Sequence, residues 1–158
     1  MSFLKKLTAG IFILSYVLLF TSCNSQNRAK NVPVESRYRV IISSDIGGTD
    51  PDDNQSMIHL LMYSNLFQIE GLISSPFEAG RKENILKMID LYEKDLPQLK
   101  QHAEGFPDPD SLRLVCKQGA IDNAPYKGFD APTEGSEWII KCARREDSRP
   151  LYLLVWGG

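Results

Sequence analysis

The stretch Tyr38-Arg39-Val40-Ile41-Ile42-Ser43-Ser44-Asp45-Ile46-Gly47-Gly48-Thr49-Asp50-Pro51-Asp52-Asp53-Asn54 changes character twice. Tyr38 to Ser44 is a short run rich in β-branched residues, the pattern of a buried strand. Gly47, Gly48 and Pro51 break that run into a loop. From Asp53 or Asn54 to about Leu66, the positions Met57, Ile58, Leu60, Leu61 and Met62 wrap most of a helix, which Asp53 or Asn54 can cap. His59 falls inside this apolar pattern and reads as a buried, hydrogen-bonded histidine.

Working outward, Phe67 to Ser74 reads as a second strand. Arg81 to Leu96 follows as a helix with Ile85, Met88, Ile89, Tyr92 and Leu96 on one face, and Pro97 ends it. Residues 98–110 read as loop. Asp110 or Ser111 then caps a helix carrying Leu112, Val115 and Cys116, and Gly119 terminates it. A loop from Ala120 to Pro132 precedes a helix over Thr133 to Arg145, where Thr133, Ser136 and Glu137 supply start signals. The nearly unbroken apolar run Leu151 to Trp156 is expected as a central parallel strand covered on both faces. Alternating strands and helices imply an α/β fold, a Rossmann-like parallel sheet flanked by helices, breaking off after the third strand. In such sheets ligands bind at the carboxyl ends of the strands, where the Asp45 loop and Gly157-Gly158 lie.

Asp45, Asp50, Asp52 and Asp53 bring four carboxylates into nine positions directly after a buried strand. Like charges so close repel unless a cation neutralises them, and a hard divalent ion such as Ca²⁺ takes oxygen donors of this kind. The plainer alternative is a set of solvated turn and capping residues beside a helix N-terminus, which favours negative charge by itself. An EF-hand loop does not fit the spacing. A D-x-D-x-T phosphatase motif fails because Ser43 stands in the nucleophile's place. Asp45-Ile46-Gly47-Gly48-Thr49 resembles the phosphate-binding turn of actin-like sugar kinases, but the helical pattern that follows excludes the returning strand of that turn.

A closer resemblance is to the nucleoside hydrolases, whose first strand ends in D-x-D-P-G-x-D-D ahead of an apolar helix. Asp45 matches the second aspartate, Gly47 the glycine, and Asp52 and Asp53 the terminal pair, while Ser43 replaces the first aspartate and Gly48 to Pro51 enlarge the loop. Together with Gly71-Leu72-Ile73-Ser74-Ser75-Pro76 and Val155-Trp156-Gly157-Gly158, the string resembles the nucleoside-hydrolase-like domain of secreted bacterial proteins described as cellulose-binding. The resemblance implies Ca²⁺ held by Asp45 and Asp53, with Asp52 and the Trp156 carbonyl as further ligands. It makes Asp45 the general base that activates water against an anomeric carbon, and places Glu78 and Arg81 as substrate contacts. Residues 37–158 are then the N-terminal part of such a domain, since the family fold continues beyond these strands.

Residues 1–22 read as a secretory leader: Lys5 and Lys6, then an apolar run from Leu7 to Phe20, then small residues. As a helix that run is about 21 Å long, short of the ~30 Å bilayer core. Phe20-Thr21-Ser22-Cys23 resembles a bacterial lipobox, which implies a lipidated Cys23, membrane attachment and residence in the bacterial cell envelope. Residues 23–36 are polar and read as a tether. Cys116 and Cys142 are open to two readings, a disulfide in an oxidising compartment or two buried thiols.

The 158 residues are 42% hydrophobic and 24% charged, the balance of one globular domain. Removal of the leader leaves 16 basic side chains against 20 acidic ones, a net charge of −4 that offers no field for a nucleic acid backbone. The three cysteines lack zinc-site spacing. The expected partner is a carbohydrate or nucleoside-like small molecule. Three roles remain open: a metal-dependent glycosidic-bond hydrolase, a non-catalytic carbohydrate-binding module on the same fold, and an inactive fragment.

Overall fold

The computed structural model describes residues 31–47, 51–75, 81–123, 125–128 and 131–156. Four parallel strands form one sheet, β1 (Tyr38–Ser44), β2 (Phe67–Ser74), β3 (Cys116–Gln118) and β4 (Leu151–Trp156), in the order β3-β2-β1-β4. The α/β class and the first two strands agree with the sequence reading. The strand count does not, because β3 was read as the end of a helix.

Among the described residues the α-helices are α1 (Asp52–Met62), α2 (Lys82–His102), α3 (Pro109–Val115) and α4 (Glu134–Ala143). Val40 and Ile42 of β1 pack with Met57, Leu60 and Leu61 of α1, Ile85, Ile89 and Tyr92 of α2, and Leu112 of α3. The alternate residue, Ile41, faces the other way with Ile73 and Cys142, against Trp138 and Ile139 of α4. This period-2 division makes β1 the buried centre of a three-layer arrangement. Cys116 belongs to the first core and Cys142 to the second, so the sheet lies between the two buried thiols. Among the described residues no helix is long and apolar enough to cross a membrane.

Several element boundaries differ from expectation. Pro97 lies inside α2, which continues to His102. A proline removes one N–H donor, and the exposed turn tolerates that loss because Tyr92 and Leu96 anchor the buried side. α3 begins at Pro109, with the Asp108 carboxylate accepting from the Asp110 N–H, and stops at Val115. Cys116 then turns into the sheet opposite Leu72, so Gly119 ends a strand rather than a helix. His59 is exposed, not buried, because only Met57, Leu60 and Leu61 of α1 are fully inside. Among the described residues β4 pairs with β1 alone, and its Tyr152, Leu153, Leu154 and Val155 are all exposed.

At the amino end of the sheet, the β1–β2 register slips between Val40 and Ile41, leaving Glu70 as the extra residue of a bulge. Its carboxylate is buried and accepts two bonds from the Arg39 guanidinium, at 2.8 and 3.1 Å, and another from Arg145 at 3.1 Å. Trp138 Nε1 donates to the Glu70 carbonyl at 2.7 Å, which ties α4 to the bulge. The last residues of the polar segment also join the domain. Arg37 donates to the Val32 carbonyl, to Asn31 Oδ1 and to the Gly105 carbonyl, each at 2.9 Å.

Candidate functional site

The order β3-β2-β1-β4 reverses direction between β1 and β4, and the carboxyl end of that junction is where open α/β sheets place ligands. Asp45 leaves β1 there. Gly47 has φ 110°, a left-handed conformation that costs a residue with a Cβ, and it turns the chain back toward α1. Three bonds hold the turn: Ser44 Oγ accepts from the Ile46 N–H at 3.2 Å, Asn84 Nδ2 donates to the Ile46 carbonyl at 3.3 Å, and the Ser75 N–H donates to the Ser44 carbonyl at 2.8 Å.

α1 starts at Asp52, with Pro51 in the capping position and no side-chain cap. Asp53 therefore does not cap the helix. Its side chain is half-buried and turns to β1, in hydrogen-bonding contact with the Asp45 carboxyl and the Ser44 hydroxyl. Burial, followed by the contact with Asp45 and the charges of Asp45 and Asp52, pushes the Asp53 carboxyl up to about 6. Asp52 is exposed, and its Oδ1 accepts from the Asp53 N–H at 2.9 Å.

Trp156 pairs in register with Ser44, one position before Asp45, so its backbone reaches the same end of the sheet. Its indole packs against the larger core and lines an apolar groove with His59, Leu60 and Tyr63 of α1. Arg81 is half-buried immediately before α2. Glu78, Asp50, Gly48, Gly157, Gly158 and the lipidation candidate Cys23 lie outside the described residues. Among the described residues no three His, Cys, Asp or Glu side chains converge on one point.

Sequence reasoning missed two supporting groups, Ser44 and Asn84. Neither carried a signal, since an alternating strand pattern says nothing about a hydroxyl beneath a carboxylate, and Asn84 meets the loop only across tertiary distance. It also missed a cleft of about 390 Å³ over the carboxyl ends of β1, β2 and β3, on the α4 side, lined by Ser43, Ser75 and the segment 119–123 among others.

Known proteins agree with the fold. No curated protein matches the chain significantly. A solved nucleoside hydrolase-related hypothetical protein from Saccharophagus degradans, described as associated with carbohydrate metabolism, is 32% identical with a TM-score of 0.65. The alignment covers 77% of this chain and 31% of that protein, so the chain spans about a third of the relative's length. The family described as cellulose-binding Sde182, nucleoside hydrolase-like domain, matches residues 39–158. With β1, its acidic loop and the parallel sheet all inside that match, the chain belongs to this nucleoside hydrolase-like family.

Proposed function

We propose that this domain acts on a carbohydrate by hydrolysing a glycosidic bond, with Asp45 as the general base. The contact between the Asp45 and Asp53 carboxylates at the carboxyl end of the central strand supports this most directly. Two acids held together are poorly served as capping residues, and the helix they flank takes no side-chain cap from either.

Their oxygen chemistry suits Ca²⁺: Asp45 and Asp53 would hold it, with Asp52 and the Trp156 carbonyl at the same end of the sheet as further donors. Such an ion supplies positive charge that eases the deprotonation of water. Asp45 accepts the proton as the water oxygen bonds to the anomeric carbon. The glycosidic bond breaks and the departing group leaves with its electron pair, to be protonated in turn. Ser44 and Asn84 hold the turn, and Arg81, together with Glu78 by the family resemblance, would contact the sugar. A lipid on Cys23 would hold the protein in the bacterial cell envelope.

Carbohydrate binding without cleavage is the second reading. Ser43 supports it, because this position of the hydrolase motif is an aspartate, and so does the want of a third converging acid among the described residues. Release of sugar from a panel of neutral glycosides and nucleosides by the full-length chain, with Ca²⁺ or EDTA, separates the two. Hydrolysis predicts turnover that needs Ca²⁺ and falls at least ~100-fold in Asp45→Asn. Glycan retention with no release, unchanged in Asp45→Ala, establishes the binding role instead. Intact mass of the membrane fraction reports whether Cys23 carries lipid.

A further inference from the structure

We infer that the cleft on the α4 side of the sheet is a second binding subsite, one that takes an uncharged sugar ring beside the carboxylate pair. The inference rests on the carbohydrate reading above and adds a ligand class and a location to it. The cleft opens at the same end of β1 as Asp45 but on the opposite face from α1, with Ser43 at its edge. Its volume of about 390 Å³ lies within the ~300–1,000 Å³ of small-molecule sites.

The lining is amphipathic. Ile73 from β2 and Ile139 from α4 offer aliphatic surface, suited to the C–H face of a pyranose, while Ser43, Ser75, Asp122 and Asn123 offer hydroxyl, carboxylate and amide groups. The Ser75 hydroxyl is buried with no hydrogen-bond partner among the described residues, a deficit of the kind that a bound polar group or water relieves. Among the described residues no lysine or arginine lines the cleft and Asp122 is its one charged residue, so phosphorylated or acidic sugars are disfavoured against neutral ones.

The walls are held in place without a ligand. The Gly119 N–H donates to the Ser74 carbonyl at 2.9 Å, and a Cβ at Gly119 would collide with that oxygen, so the loop after β3 sits directly on the end of β2. The Gln118 N–H donates to the Glu134 carboxylate at 3.1 Å, and Thr133 and Ser136 close a reciprocal capping box at the start of α4. A preformed cleft spends little binding energy on ordering.

The test is calorimetric titration of the full-length chain and its variants with cellotetraose and xylotetraose, two neutral oligosaccharides. Asn123→Ala removes an exposed amide that makes no hydrogen bond among the described residues, and Ala120→Trp fills the cleft, with thermal melting confirming that each variant is folded. The expected result is affinity at least threefold weaker in Asn123→Ala and at least tenfold weaker in Ala120→Trp, with Ca²⁺ binding unchanged in both. Native-like oligosaccharide affinity in both variants overturns the inference while leaving the carbohydrate reading intact, and would move the ligand to the groove beside Trp156. If the unmodified chain binds neither oligosaccharide nor any neutral glycoside of the panel, the carbohydrate reading fails and the subsite falls with it.

Discussion

Asp53 shows how one side chain changes meaning between sequence and structure. Placed in the first turn of α1 it fits the helix dipole, yet its carboxyl turns away to meet Asp45 and Ser44. Mutual repulsion then weakens the metal-free fold, while a divalent ion would reverse the sign. Asp53→Asn is expected to melt in EDTA at or about 2–4 °C above the native chain, the shift that ~1 kcal/mol gives a domain of this size. Added CaCl₂ should raise the native melting temperature and leave the variant unmoved, a comparison made by differential scanning fluorimetry. A second residue controls acid stability. Hydrogen bonds from the Arg149 side chain and main chain hold the Asp147 carboxyl well below the usual carboxylate range. Because the folded value is depressed, the stability it contributes is present above the unfolded value near ~4 and is lost as pH falls through the folded value. Asp147→Asn should therefore lower the urea midpoint at pH 7, with the gap to the native chain narrowing progressively below about pH 4.

Among the elements, α2 and β3 depart furthest from their local signals. Pro97 carries a strong stop signal, yet α2 runs on for five residues to His102, with Leu96 buried and Leu99 packed on the core. Tertiary contacts on one face outweigh the lost hydrogen bond on the other. Pro97→Ala restores the donor at an exposed position and is expected to stabilise the domain by about 1–3 kcal/mol in urea unfolding, with no effect on glycan binding. The three residues of β3 are too few to show a period, and Leu112, Val115 and Cys116 satisfy a helical spacing equally well. Only pairing with Leu72, Ile73 and Ser74 settles the matter. The edge of β3 is guarded by charge: Lys117 and Lys82 reach Glu134, whose carboxylate also takes the Gln118 N–H.

For the whole molecule, the two outer strands of the described sheet differ sharply. β3 is short and charged, whereas β4 is a six-residue apolar strand that pairs with β1 alone among the described residues, its ends Leu151 and Trp156 packed on the two cores and Val155 65% exposed. At the opposite end of β1 from the carboxylates, Arg39, Glu70 and Arg145 bind the bulge to the helix layer, so the α4 side of the site rests on a rigid sheet. None of this ionic cluster was legible beforehand, because Arg39 and Glu70 meet across two strands and Arg145 arrives from a third segment.

By itself the sequence determined the α/β class, the limits of β1 and β2, the acidic loop and the family resemblance, all of which depend on neighbouring residues: apolar runs, a glycine turn, a short motif. Tertiary structure alone decided which carboxylates meet, that β4 joins β1 on the side away from β2, that His59 is exposed, and that hydroxyls from two strand ends and residues of the 119–123 loop line one cleft. These are properties of surfaces brought together by burial and strand order. A pattern within one segment carries the periodicity of that segment and holds no record of what packs against it.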